Sequence, residues 1–292
     1  MMSKRLNALY GWLLILPAVS LLAAFTHLPA VMTLLASVHS TPRGTRPPHF
    51  VGLDNYRDMM ADPIFWQSLW NNLIYALATI PVSVALALTM ALLVNRSFPG
   101  RSLARLAFFT PTVLPMIAVA NIWLFFYTPD YGLLDRLVGF LGMAHHNWLG
   151  ERGTALWALI AVAIWKESGF FMIFYLAALQ QIPATLREAA ALEGAGPWTC
   201  FRRVTLPLLM PTTLFVLINA LINAFRMVDH VVVMTRGGPD NATSLLLFHI
   251  FEVGFRFWDS AYAATLTVVL VTILSLVAAL KFHFLDSRTH YR

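Results

Sequence analysis

Six apolar runs, each long and almost free of charge, recur along the chain near Leu9–Ser37, Leu69–Val94, Leu106–Tyr127, Thr154–Leu179, Pro207–Val228 and Tyr262–Phe284. An α-helix needs about 20 such residues to cross ~30 Å of hydrocarbon. Together the six make up about half of the chain. Of the 292 residues only 12% are charged, about half the ~25% of a soluble globular domain. A water-facing surface of ordinary polarity is therefore excluded. The expectation is an all-α, polytopic membrane protein with six transmembrane helices, forming one domain over residues 1–292. The first run follows Lys4 and Arg5 and imitates a signal peptide, but it is longer than an h-region of about 7–15 residues. It is read as a retained span.

A single cysteine, Cys200, leaves no internal disulfide framework and no cysteine-cluster metal site. The formal net charge of +6 would suit nucleic acid only if the basic side chains gathered on one exposed face. They lie instead between the apolar runs, where they set topology. Lys4, Arg5, Arg96, Arg101, Arg105, Arg187, Arg202, Arg203, Lys281, Arg288 and Arg292 fall on one side and outnumber Arg43, Arg46, Arg57, Arg136, Arg152, Arg236 and Arg256 on the other. The richer side, with both termini, is expected in the cytoplasm. Connections near 38–68, 128–153 and 229–261 then face outward. The first of these, with Pro47-Pro48 and Val51-Gly-Leu-Asp-Asn-Tyr56, predicts ordered structure outside the membrane.

The connection at 180–206 carries the most information. Thr185 and Glu188 fit a capping box, in which a hydroxyl and a carboxylate satisfy free amides at a helix start. Ala189, Ala190, Ala191 and Leu192 are strong helix formers. Gly194 suits a left-handed helix end, and Pro197 blocks continuation. A helix over Leu186–Glu193 is predicted, roughly 12 Å long and too short to persist alone in water. The longer spacing is more specific. Glu188-Ala189-Ala190 is followed after three residues by Gly194, and after nine more by Val204, one residue, and Leu206-Pro207. This resembles the EAA motif of ABC importer permeases, with Val204 standing for isoleucine and Glu193 where many sugar-type relatives have aspartate. Phe174–Pro183, Val233–Thr243 with its Gly-Gly-Pro, and Val51–Tyr56 are similar to segments of the carbohydrate-type (maltose- and glycerol-3-phosphate-like) permeases of the binding-protein-dependent transport inner-membrane family. The approach to the motif and the final Phe284–Arg292 look most like its glycerol-3-phosphate branch.

The resemblance implies a type I ABC importer permease fold. It implies a coupling helix that docks on a cytoplasmic ATPase, with Glu188, Ala189, Ala190, Glu193, Gly194, Leu206 and Pro207 as the ATPase-coupling positions. It implies a second homologous permease subunit, two ATP-binding subunits and a periplasmic or extracellular solute-binding protein, in the bacterial cytoplasmic (inner) membrane. The solute class is a carbohydrate, a polyol or a glycerol-3-phosphate-like anion. The chain holds only Lys4, Lys166 and Lys281, none in a P-loop context. No cofactor is expected on this chain; ATP and Mg are used by the partner ATPases, and the permease is not itself an enzyme.

Polar residues within spans are expensive and mark candidate solute paths. Asn219, Asn223, Arg226 and His230 recur in steps of four, three and four, which places them on one face of a continuous helix. Lys166 lies at a depth of roughly 18 Å in the fourth span. It either pairs with another helix, reaches a water-filled region or meets the solute, and with Arg226 it would favour an anion. Glu167, its neighbour, points elsewhere. Tyr175, Phe170 and Phe171 offer either sugar stacking or packing. Asn121 is a further path candidate beyond Pro111 and Pro115, which are expected to bend the third span. His145-His146 reads as surface, and Asn241-Ala-Thr243 as a turn rather than a glycosylation site. An ion-coupled secondary transporter is the rival reading. It calls for a carboxylate relay and inverted repeats, whereas only Glu167 lies mid-span. A membrane-embedded enzyme is weaker still, for no acid–base or metal constellation stands out.

Overall fold

The computed structural model describes residues 2–42, 44–140, 142 and 146–286, with side chains described between Tyr10 and Ala279. Arg43, His145, Arg288, Arg292 and the side chains of Lys4, Arg5 and Lys281 lie outside the described residues. The chain separates into two compact units, Met1–Asp62 with Ile250–Ile273, and Pro63–His249 with Leu274–Arg292. Among the described residues five helices are long and apolar enough to cross a membrane, or six if one bent pair counts as a single span.

In the first unit, α1 (Met2–Leu22) runs through a π turn at Ala23–His27 into α2 (Leu28–Ala36). From Tyr10 to Ala36 no side chain is buried. The chain then reverses through an isolated bridge between His39 and Phe50 and enters α3 (Asp54–Ala61). This segment is tied down by its polar groups. Asn55 Nδ2 donates to the carbonyls of Ser37 and His39, each at 2.9 Å, and Ser37 Oγ lies 2.9 Å from the Tyr56 hydroxyl. Thr41 donates to Asp259, Tyr262 donates to Asp62 at 2.7 Å, and Thr265 donates to the Ser37 carbonyl at 3.2 Å. The order predicted within 38–68 is built from these bonds.

The second unit is a bundle around α4 (Pro63–Asn95). The α5 helix (Arg101–Val113) returns from it, and Arg105 Nη2 donates at 3.0 Å to the carbonyl of Val94, one of the last carbonyls of α4. The third apolar run is not one helix. Its second half, α6 (Met116–Phe126), departs at 103° from α5. The break sits at Leu114 and Pro115, both in extended backbone, because Pro115 supplies no amide to continue the ladder. Next comes α7 (Leu133–Phe140), whose buried Asp135 accepts from the amides of Asp130 and His146 at 2.8 and 3.1 Å. Then α8 (Ala155–Gln181) packs along α4.

The short helices α9 (Ala184–Leu192), α10 (Pro197–Cys200) and α11 (Leu206–Leu208) follow, with a π turn at Phe201–Thr205 between the last two. They lead into α12 (Met210–Arg226), α13 (Asp229–Met234) and α14 (Leu246–Phe251). The last helix, α15 (Ser260–Asp286), follows a π turn at Glu252–Arg256. Ala87 and Ala91 of α4, Phe171, Met172 and Tyr175 of α8, and Val216 and Ala220 of α12 form the core of the second unit. Its alanines let the helices approach closely, which matters in lipid, where packing replaces the hydrophobic drive between helices.

Candidate functional site

Within 180–206 the predicted helix forms with its start displaced. It begins at Ala184, not Leu186, with Pro183 at the N-cap, and no side chain caps it. Thr185 therefore lies inside the first turn, and the predicted capping box does not form. Proline, with φ already at −57°, directs the chain into the helix without a hydroxyl. The helix end follows expectation closely. Ala195 N–H donates to Ala190 O at 2.9 Å, Gly194 N–H donates to Ala191 O at 3.0 Å, and Gly194 has φ +78°. That is a Schellman closure. Pro197 does not merely stop a helix; it opens α10 as its first residue.

None of the residues of α9 is buried, and Leu192 is 91% exposed. Glu188 and Glu193 are exposed beside it, as are Ala189 and Pro207, while Ala190 and Leu206 are partly covered. The result is a two-turn helix held at both ends by backbone geometry, with none of its side chains buried.

The polar side chains in the spans sort differently. Lys166 is 8% exposed, and its Nζ donates to the carbonyls of Pro111 at 3.0 Å and Leu114 at 2.5 Å. It serves the oxygens that the α5–α6 break leaves without amides. Glu167 is buried, with its carboxylate near Asn223 of α12. Asn219 and Asn121 donate to carbonyls of their own helices, Phe215 at 2.9 Å and Ile117 at 2.8 Å. Tyr175 is fully buried in the core, while Phe170 stacks edge-on against Phe174, and Phe174 lies tilted against Phe215 of α12. Arg226 is exposed at the last position of α12.

His230 does not share a helix with Asn219, Asn223 and Arg226. The backbone at Met227 is extended, and His230 belongs to α13, fully buried, with Nε2 3.1 Å from the Tyr75 hydroxyl. The predicted stripe is thus three residues on α12. His146 is exposed beside Trp148, and its neighbour His145 lies outside the described residues.

Sequence reasoning missed the polar face of α4. Ser68, Asn71, Asn72, Tyr75, Thr79 and Ser83 recur at helical spacing, and all are buried. The spacing was there to be found. Its upper part holds the 235–244 turn: Gln67 donates to Asp240 O at 3.0 Å, Asn71 to Asn241 O and Ser244 O at 2.9 and 3.0 Å, and Ser68 Oγ lies 3.0 Å from Ser244 Oγ. Thr243, buried, closes the turn onto Gly238 O at 2.8 Å. Among the described residues no group of three or more histidine, cysteine or carboxylate side chains could hold a metal ion.

A family model described as the binding-protein-dependent transport system inner membrane component matches residues 63–291. The trehalose/maltose transport system permease protein of Thermococcus litoralis is 34% identical over 277 residues, 94% of each chain. The sn-glycerol-3-phosphate transport system permease protein of Yersinia pestis is 30% identical over 282 residues, covering 96% of this chain and 95% of that one. Among solved structures, a bacterial ABC transporter involved in the import of the acidic polysaccharide alginate superposes with a TM-score of 0.86 at 20% identity, covering 98% of both chains.

Proposed function

Because the chain belongs to the family of binding-protein-dependent transport system inner membrane components, a family of multi-pass transport subunits, we propose that it forms half of the translocation path of an ATP-driven importer. The solute is a carbohydrate, a polyol or a glycerol-3-phosphate-like anion; the names of two relatives carry trehalose and maltose, and sn-glycerol 3-phosphate. A second permease supplies the other half. Two ATP-binding subunits use ATP and Mg on the cytoplasmic side, and a solute-binding protein delivers from outside. The chain itself is one permease domain without an ATPase site, lies in the bacterial inner membrane and keeps both termini in the cytoplasm.

The observation that carries this reading is α9: a short helix with no buried residue, fixed between Pro183 and left-handed Gly194 at the EAA spacing. Glu188, Ala189, Ala190, Glu193 and Gly194 meet the ATPase, and Leu206 and Pro207 pass the movement into α12. Asn223 and Arg226 of α12, with Asn219, are the solute-facing candidates, and Asn121 stands on α6. Lys166 and Tyr175 support the path from behind, through the backbone of the broken span and through the core.

The test is a mild-detergent pull-down from the native membrane followed by uptake into vesicles. A second permease and a P-loop ATPase should come with the chain, and uptake should require ATP. Recovery of the chain alone, with uptake that follows an ion gradient and ignores ATP, would sink the reading in favour of a secondary transporter.

A further inference from the structure

Where α4 and α8 begin, a cleft of about 330 Å³ opens beside the 235–244 turn, lined by Gln67, Trp70, Asn71, Arg152, Trp157 and Ala242 among others. Its two indoles are unusual for their surroundings. Trp70 is 61% and Trp157 57% exposed, while Asn71 and Leu156 beside them are buried. Tryptophans placed at the same end of two apolar spans sit at headgroup level, where an amphipathic ring is most at home. Arg152, just before α8, is exposed and has no ion-pair partner among the described residues.

The amides complete the chemistry. Asn71 spends both amide N–H groups on the carbonyls of Asn241 and Ser244, and Gln67 spends one on that of Asp240, so acceptor oxygen remains on both side chains and one N–H on Gln67. A ligand that suits the cleft therefore brings a negative charge for Arg152 and hydroxyl groups for the amides. Deeper along the same helices the surface turns apolar and stays uncovered, with Leu73 and Leu77 exposed on α4 and Trp165 on α8. Polar above and bare hydrocarbon below is the profile of one lipid molecule lying along the helix pair.

We propose that this cleft binds a phospholipid with an anionic, hydroxyl-bearing headgroup of the phosphatidylglycerol type. Its phosphate lies on Arg152, its glycerol hydroxyls on the amide oxygens, and an acyl chain along the α4–α8 stripe. Since the same two amides hold the 235–244 turn, the bound lipid also steadies that turn. The site is separate from the α12 residues proposed to face the solute.

The protein is purified from its native membrane in mild detergent, delipidated, and titrated with phosphatidylglycerol and with phosphatidylethanolamine under native mass spectrometry. Phosphatidylglycerol should bind several-fold more tightly. Arg152→Gln should lower that affinity about fivefold, the usual effect of one basic residue at a membrane surface, and Arg152→Lys should preserve most of it. Trp157→Leu, which keeps the helix apolar, should weaken both lipids. Free sn-glycerol 3-phosphate should not displace the lipid. Equal affinity for the two lipids, an unchanged Arg152→Gln protein, or displacement by free glycerol 3-phosphate would overturn the proposal. So would a photo-crosslinker at position 157 that captures a protein subunit instead of lipid.

Discussion

Asn72 donates from its side chain to the carbonyl of Ala224 at 3.1 Å. The same side chain accepts, at 3.1 Å, from the amide of Leu246. Ala224 is in the last turn of α12 and Leu246 is the first residue of α14, positions whose backbone groups have no partner within their own helix. One fully buried amide on α4 thus closes one helix and opens another. Asn72→Leu should destabilise the protein by about 2–6 kcal/mol, since two buried backbone groups lose their partners at about 1–3 kcal/mol each. Thermal unfolding in detergent measures it; an unchanged midpoint would show that the groups find other partners.

Lys166→Met should also be costly, for a different reason. The methionine fills the space but leaves the buried Pro111 carbonyl and the part-buried Leu114 carbonyl without a donor, at about 3 kcal/mol for a charge-assisted pair of bonds. The unfolding midpoint should fall, and a cysteine placed at Leu114 should become more reactive to a soluble thiol reagent.

Gly169, one turn along from Lys166, lies against the backbone of α5, and a Cβ there would run into the Phe108 carbonyl. Gly169→Ala should push α5 away and cost roughly 1–3 kcal/mol, the usual range for overpacking. If the variant unfolds like the parent, the helices have room that this packing denies them.

Glu188→Lys should insert into the membrane normally yet separate ATP hydrolysis from uptake, because no residue of α9 is buried in this chain. Gly194→Pro should do the same by destroying the Schellman closure, since proline cannot adopt φ +78°. Uptake at the parental rate with either variant would contradict the docking role.

Arg226→Ala should reduce transport of an anionic solute about tenfold and leave a neutral analogue of similar size nearly untouched, as expected for one lost charge-assisted contact of ~1.4 kcal/mol. Paired uptake assays decide it. Equal losses would mean that the exposed arginine acts on the helix end and not on the solute.

Much of this architecture is legible in the sequence, because a span announces itself by length and a Schellman end by its glycine. What escaped was set by tertiary context. The helix start at Ala184 follows Pro183, a cue outweighed by the Thr185–Glu188 pattern. The extended backbone at Met227 comes without a glycine or proline of its own, so the step count from Asn219 to His230 ran through a break. The bend near Pro115 could be foreseen, but its sharpness and its reliance on Lys166, 52 residues from Leu114, could not. The buried face from Ser68 to Ser83 was written in helical spacing, but nothing local to α4 says that its partners are a turn and two helix ends far along the chain.

The ammonium of Lys166 and the broken span also constrain how this molecule can change over generations. Losing the lysine alone strands two carbonyls, one of them buried; straightening the span alone, by replacing Pro115, strands the ammonium. Neither single step leads downhill. Descendants that abandon the arrangement must abandon both halves nearly at once, so the two positions inherit each other's fate.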